Sequence, residues 1–133
     1  MPMRLEHLAI WSQDIENLKD YYTRYFAGKA NNLYINSNTG FRSYFIAFKS
    51  GARLELMQKS GIPENLNDRE VRQHLGIIHL AFAVQSKEEV DNKAEDLMNA
   101  GFPILRGPRV TGDGYYEFET LDPDGNRIEV IFT

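Results

Sequence analysis

Two short segments of this chain each occur twice. His7-Leu8-Ala9-Ile10 returns as His79-Leu80-Ala81-Phe82, 72 positions on. Arg53-Leu54-Glu55-Leu56-Met57 returns as Arg127-Ile128-Glu129-Val130-Ile131, 74 positions on. Recurrence at this scale implies one structural unit used twice. Within that unit a histidine comes early and a glutamate late, both inside strand-like text. Two imidazoles and two carboxylates gathered by pseudo-twofold symmetry would make a site for a divalent metal ion.

With 133 residues, the chain has the length of one ordinary domain. The apolar runs stay well short of the ~20 residues that a membrane helix needs, so no membrane span is expected. Cysteine is absent, which excludes disulfides, thiolate metal sites and cysteine nucleophiles. The net charge is −4 and the basic residues are scattered, so the basic footprint of a nucleic-acid binder is missing. The opening Met1–Glu6 runs directly into strand pattern, read as leaving no signal peptide. A cytoplasmic location is the expectation.

Each unit reads as β-α-β-β-β. In the first, a strand over Leu5–Trp11 leads to Asp14, a plausible N-cap. Ile15, Leu18, Tyr22 and Phe26 then recur at helical spacing, and Gly28 suits the stop. Strands follow around Leu33–Ile35, at Phe41–Phe48 and at Arg53–Met57. In the second, Ile77–Val84 is strand, and Ser86 with Glu89 makes a capping box. Val90, Ala94, Leu97 and Met98 form the apolar stripe of a helix that Gly101 ends. A strand over Ile104–Val110, interrupted at Gly107-Pro108, is followed by the strand Tyr115–Leu121. Asp122-Pro123-Asp124-Gly125 is a hairpin signal that delivers the last strand, Arg127–Phe132. The modules cover about 4–58 and 77–133, joined by a polar linker, 59–76, with one helical turn expected at Asp68–His74. A module of this size with one helix covers one face of its sheet, so a single domain of residues 1–133 is expected.

Side chains alternate across a strand. Leu8 and Ile10, Leu54 and Leu56, Leu80 and Phe82, and Ile128 and Val130 therefore form the face that packs beneath the helices. The reverse faces carry His7, Glu55, His79 and Glu129, and beside each histidine stands only alanine. Small neighbours leave room for a cation. Taken singly, a strand histidine is more often a hydrogen-bonded or partly exposed residue. Arg53/Glu55 and Arg127/Glu129 likewise read singly as solvated pairs worth under ~1 kcal/mol. Recurrence of both positions, in phase, favours the ligand reading. His74 has no repeat partner and reads as solvated, Phe41, Tyr44, Phe45 and Phe48 read as core or cavity wall, and Asp122 and Asp124 as turn formers.

These residues in this order, closing on Asp-Pro-Asp-Gly-x-x-Ile-Glu-Val, resemble the vicinal oxygen chelate superfamily. Within it the chain is similar to glyoxalase I (lactoylglutathione lyase) and the glyoxalase–bleomycin resistance proteins over roughly residues 5–132. The resemblance implies an α+β fold of two tandem βαβββ modules forming a curved, open, eight-stranded mixed sheet. It also implies a metal held by His7, Glu55, His79 and Glu129. The ion (Ni, Zn, Co, Mn or Fe) would act as a Lewis acid on adjacent substrate oxygens. By the resemblance Glu129 would move the proton, with Glu55 as the alternative, a choice that the near symmetry of the repeat does not itself decide. The implied partners are a small-molecule substrate, such as a thiol hemithioacetal, and a second copy of the chain in a homodimer. The basic anchors with which the family holds an anionic thiol are not matched by Arg42, Arg69, Arg72, Arg106 or Arg109. A non-catalytic drug-binding protein, an epimerase and a fosfomycin-type thiol transferase are the alternatives.

Overall fold

The computed structural model describes residues 1–67 and 72–133. Most of the helical turn expected at Asp68–His74 lies outside the described residues, and 72–74 carry no regular structure. The chain divides into two compact units, Met1–Asn65 and Leu66–Thr133, with the division inside the expected linker. Among the described residues no helix is long and apolar enough to cross a membrane.

The first unit contains β1 (His7–Trp11), α1 (Ile15–Tyr25), β2 (Lys29–Ala30), β3 (Tyr34–Asn36), β4 (Phe41–Ala47) and β5 (Arg53–Gln58). Its mixed sheet runs β1-β5-β4-β2, with β3 also paired to β4; β1 and β5 are parallel and the rest antiparallel. Asp14 caps α1 by accepting from the Asn17 N–H at 3.0 Å. Ile15, Leu18 and Tyr22 from the helix, with Ile46, Leu54 and Leu56 from the sheet, form a buried core. Gly28 does not end the helix by its own dihedrals, because the residue with positive φ is Ala27, at 56°. Gly28 is required by packing instead: a Cβ there would strike Ile46 Cγ2 and press on the Tyr22 carbonyl. The two-residue β2 is one strand more than the sequence pattern predicts.

The second unit contains β6 (His79–Ala83), α2 (Lys87–Asn99), β7 (Ile104–Val110), β8 (Tyr116–Leu121) and β9 (Arg127–Phe132), in the sheet order β6-β9-β8-β7. Here too the histidine strand is parallel to the glutamate strand. Half of the capping box forms as expected, with the Glu89 N–H donating to Ser86 Oγ at 3.1 Å, while Glu89 Oε2 reaches one residue past the cap to accept from the Gln85 N–H at 2.6 Å. At the other end Phe102 N donates to Leu97 O and Gly101 N to Met98 O, a Schellman closure with Gly101 at φ 94°. Val90, Ala94 and Leu97 are buried under this helix, but Met98 is 58% exposed, so the expected apolar stripe is one residue too wide. Asp122 fixes the final hairpin. Its Oδ1 accepts from the N–H groups of Asp124 and Asn126, each at 2.9 Å, and its Oδ2 from Asn126 Nδ2.

Candidate metal half-sites

Each unit brings its own histidine and glutamate together in the same way. In the first, Ala9 stands directly across from Glu55, and His7 sits one row away on the same face. Alanine beside the glutamate lets the imidazole lean over, and His7 Nε2 comes within 3.6 Å of Glu55 Oε1. In the second, Ala81 stands across from Glu129, and His79 Nε2 comes within 3.7 Å of Glu129 Oε2. Two donors that share an ion at bonds of about 2.0–2.2 Å stand roughly 3–3.5 Å apart, so both pairs need close only slightly.

The backing of His7 strengthens this fit. Its Nδ1 lies 3.1 Å from Glu6 Oε1. A neutral ring that donates through Nδ1 keeps its Nε2 lone pair, and that lone pair then faces a carboxylate oxygen. A cation between them would relieve the mismatch, and a carboxylate behind a ligating histidine is a recurrent support for one. Glu6 was not singled out from the sequence. It also accepts from Arg53 Nε at 2.9 Å, and that hydrogen bond, with a smaller one from His7, holds the Glu6 carboxyl down to about 2. The Arg53 guanidinium stacks on Phe45, 4.2 Å from the ring centroid, and Phe45 meets His7 edge-on.

Neither recurrent arginine pairs with the glutamate two residues after it. Arg53 goes to Glu6, and Arg127 Nη1 donates to Glu119 Oε2 at 2.8 Å. The reading of Glu55 and Glu129 as halves of solvated arginine pairs is thereby overturned. Among the described residues the side chains within ion-pair distance of Glu55 and Glu129 are the imidazoles of His7 and His79.

The units differ in what stands opposite each glutamate. Phe45 faces Glu55 in the first, whereas Glu119 faces Glu129 in the second, with Glu117 one row further along. Glu117, Glu119 and Glu129 can bring one oxygen each within 4.8 Å of one another. Glu117 and Glu119 were not singled out from the sequence, yet their alternation on β8 carries them. Counting back from the Asp122–Asn126 closure places Glu119 opposite Glu129. His74, read as solvated, is half-buried with Nδ1 3.0 Å from Leu75 O.

Burial, and then a hydrogen bond shared with Glu129, push the Glu117 carboxyl up from the ordinary 4.5 to about 7. Between those values the native state keeps a proton that the unfolded chain has released. Stability therefore falls as pH rises through that window and is flat above it. Glu117→Gln is expected to exceed the parent by roughly 1–3 kcal/mol at pH 8, with the gap closing below pH 4.5. Urea midpoints at the two pH values measure this; a gap that does not change with pH would contradict it.

A mixed sheet with one capped helix, built twice, each copy presenting a histidine–glutamate pair, defines the glyoxalase-like fold class. The chain belongs to the Glyoxalase/Bleomycin resistance protein/Dioxygenase superfamily, whose family model matches residues 4–130. The trypanothione-dependent glyoxalase I of Leishmania major is a structural neighbour at TM-score 0.75 and 20% identity, covering 98% of this chain and 87% of that one. A glyoxylase/bleomycin resistance protein/dioxygenase domain from Frankia sp. EAN1pec matches at TM-score 0.79 and 19% identity, over 99% and 98% of the two chains. The uncharacterised protein YqjT of Bacillus subtilis (strain 168) is 38% identical over 63 residues, 45% of this chain and 49% of its own length. The match thus spans about half of that curated relative.

Proposed function

We propose that the chain is a metal-dependent lyase or isomerase of the glyoxalase type. In this reading the pairs His7–Glu55 and His79–Glu129 complete one coordination sphere, within a chain or between two copies in a homodimer. The two modules then work as one domain in the cytoplasm. The observation that carries the reading is the repetition of one diagonal His–Glu contact, 3.6 and 3.7 Å, in both units. The donor set of two imidazoles and two carboxylates suits Ni, Co, Zn, Mn or Fe and leaves positions open for substrate.

When bound, such an ion supplies Lewis-acid polarisation of adjacent substrate oxygens. The protein does the rest. Glu6 aligns His7 through Nδ1, while Ala9 and Ala81 keep space beside the carboxylates. Glu129, buried on β9, takes a proton from one substrate carbon and returns it to the neighbouring one, and Glu55 is the alternative base. The fitting substrate is a small molecule with oxygens on adjacent carbons, such as the hemithioacetal of a thiol and a 2-oxoaldehyde. Metal analysis of the purified protein, with calorimetric titration of divalent ions, tests this. Saturable binding of one ion per site, lost in His7→Ala and in His79→Ala, is expected. No uptake, combined with tight binding of an aromatic ligand, would turn the assignment to a non-catalytic binding protein.

A further inference from the structure

β7 is irregular where regularity would undo a pairing. Arg106 and Arg109 are an odd number of residues apart and on an unbroken strand would point to opposite faces. The register with β8 shifts between Ile104 and Arg106, and again between Arg106 and Arg109. Gly107 sits in this bulge at φ 82°. A Cβ there would run into the Glu117 carbonyl and stand 2.9 Å from Phe118 Cα. The bulge brings both guanidiniums onto the face that carries Glu129. Arg106 Nε lies 3.1 Å from Glu119 Oε2, and Arg109 Nη2 lies 3.6 Å from Glu117 Oε1. Arg127 holds Glu119 from the other side at 2.8 Å. Of the three clustered carboxylates, Glu129 alone has no guanidinium partner among the described residues, and His79 faces it instead.

We propose that Arg106 and Arg109, together with Arg127, keep Glu117 and Glu119 out of coordination and so determine which cation the His79–Glu129 pair accepts. The inference rests on the metal reading above and deepens it. With the arginines in place the second half-site offers one nitrogen and one carboxylate, a set that suits Ni, Co or Zn. With Arg106 and Arg109 removed, and Glu119 held by Arg127 alone, Glu117 is released and Glu119 loosened, a more oxygen-rich surrounding for the imidazole that favours Mn. The first unit needs no such guard, because Ser43 and Phe45 hold the corresponding positions.

The test titrates the full chain with Ni²⁺ alone and Mn²⁺ alone by calorimetry, as parent and as the double variant Arg106→Gln/Arg109→Gln. The double variant is expected to gain Mn²⁺ affinity, narrowing the Ni²⁺/Mn²⁺ ratio by about tenfold or more. Adding Glu117→Gln and Glu119→Gln to that variant is expected to restore the parental ratio, which damage to folding would not do. An unshifted ratio in the double variant, or no restoration, overturns this inference while leaving the metal reading intact. A parent that takes up neither ion overturns both.

Discussion

Glu129→Gln is expected to slow turnover of a methylglyoxal–thiol hemithioacetal by ~10²–10⁴-fold, the span typical of a positioned general base. Glutamine keeps the shape of the side chain and one oxygen donor but cannot carry the transferred proton. Glu129 is favoured over Glu55 by the family resemblance. It is also the more enclosed of the two, its side chain 11% exposed against 19% for Glu55. Enclosure strengthens any charge interaction at the reacting atoms. The measurement pairs turnover with metal content in Glu129→Gln and Glu55→Gln. A full complement of metal with unchanged turnover in Glu129→Gln would reject it as the base. A large loss confined to Glu55→Gln would move the role to the first unit.

Phe118→Ala is expected to have the largest effect on stability. The ring is fully buried and stands across from Val130, on the β8 face that packs beneath α2. Removing it costs the transfer free energy of the ring and leaves a cavity, together about 3–5 kcal/mol. Met98→Ala on the exposed side of the same helix is expected to stay within about 0.5 kcal/mol. Urea denaturation of both variants decides the matter, and equal losses would show that the helix packs on a different face.

The paired modules, the strand faces and the four ligand candidates were legible in the sequence because they rest on alternation and recurrence. Leu54 and Leu56 against Glu55, or Ile128 and Val130 against Glu129, need nothing but the two-residue period. What was not legible depends on neighbours that are remote in sequence. Gly28 looked like a helix stop, but its role is set by Ile46 on β4. Met98 fitted the helical period, yet the sheet beneath α2 does not reach it. Glu117 and Glu119 alternate along β8 as any strand carboxylates can, and only the hairpin register sets one of them against Glu129. The bulge at Gly107 hid the convergence of Arg106 and Arg109, since uninterrupted alternation would have sent them apart.

The side chain of Asp122 decides more than the shape of its own bend. By locking the connection between β8 and β9 it dictates which residue meets which for the whole length of both strands. A slip of one position would exchange Glu129 for a core aliphatic on the face turned away from the helix. The placing of Glu129 opposite Glu119 thus depends on a carboxylate seven places earlier in the chain, whose task is to count residues correctly.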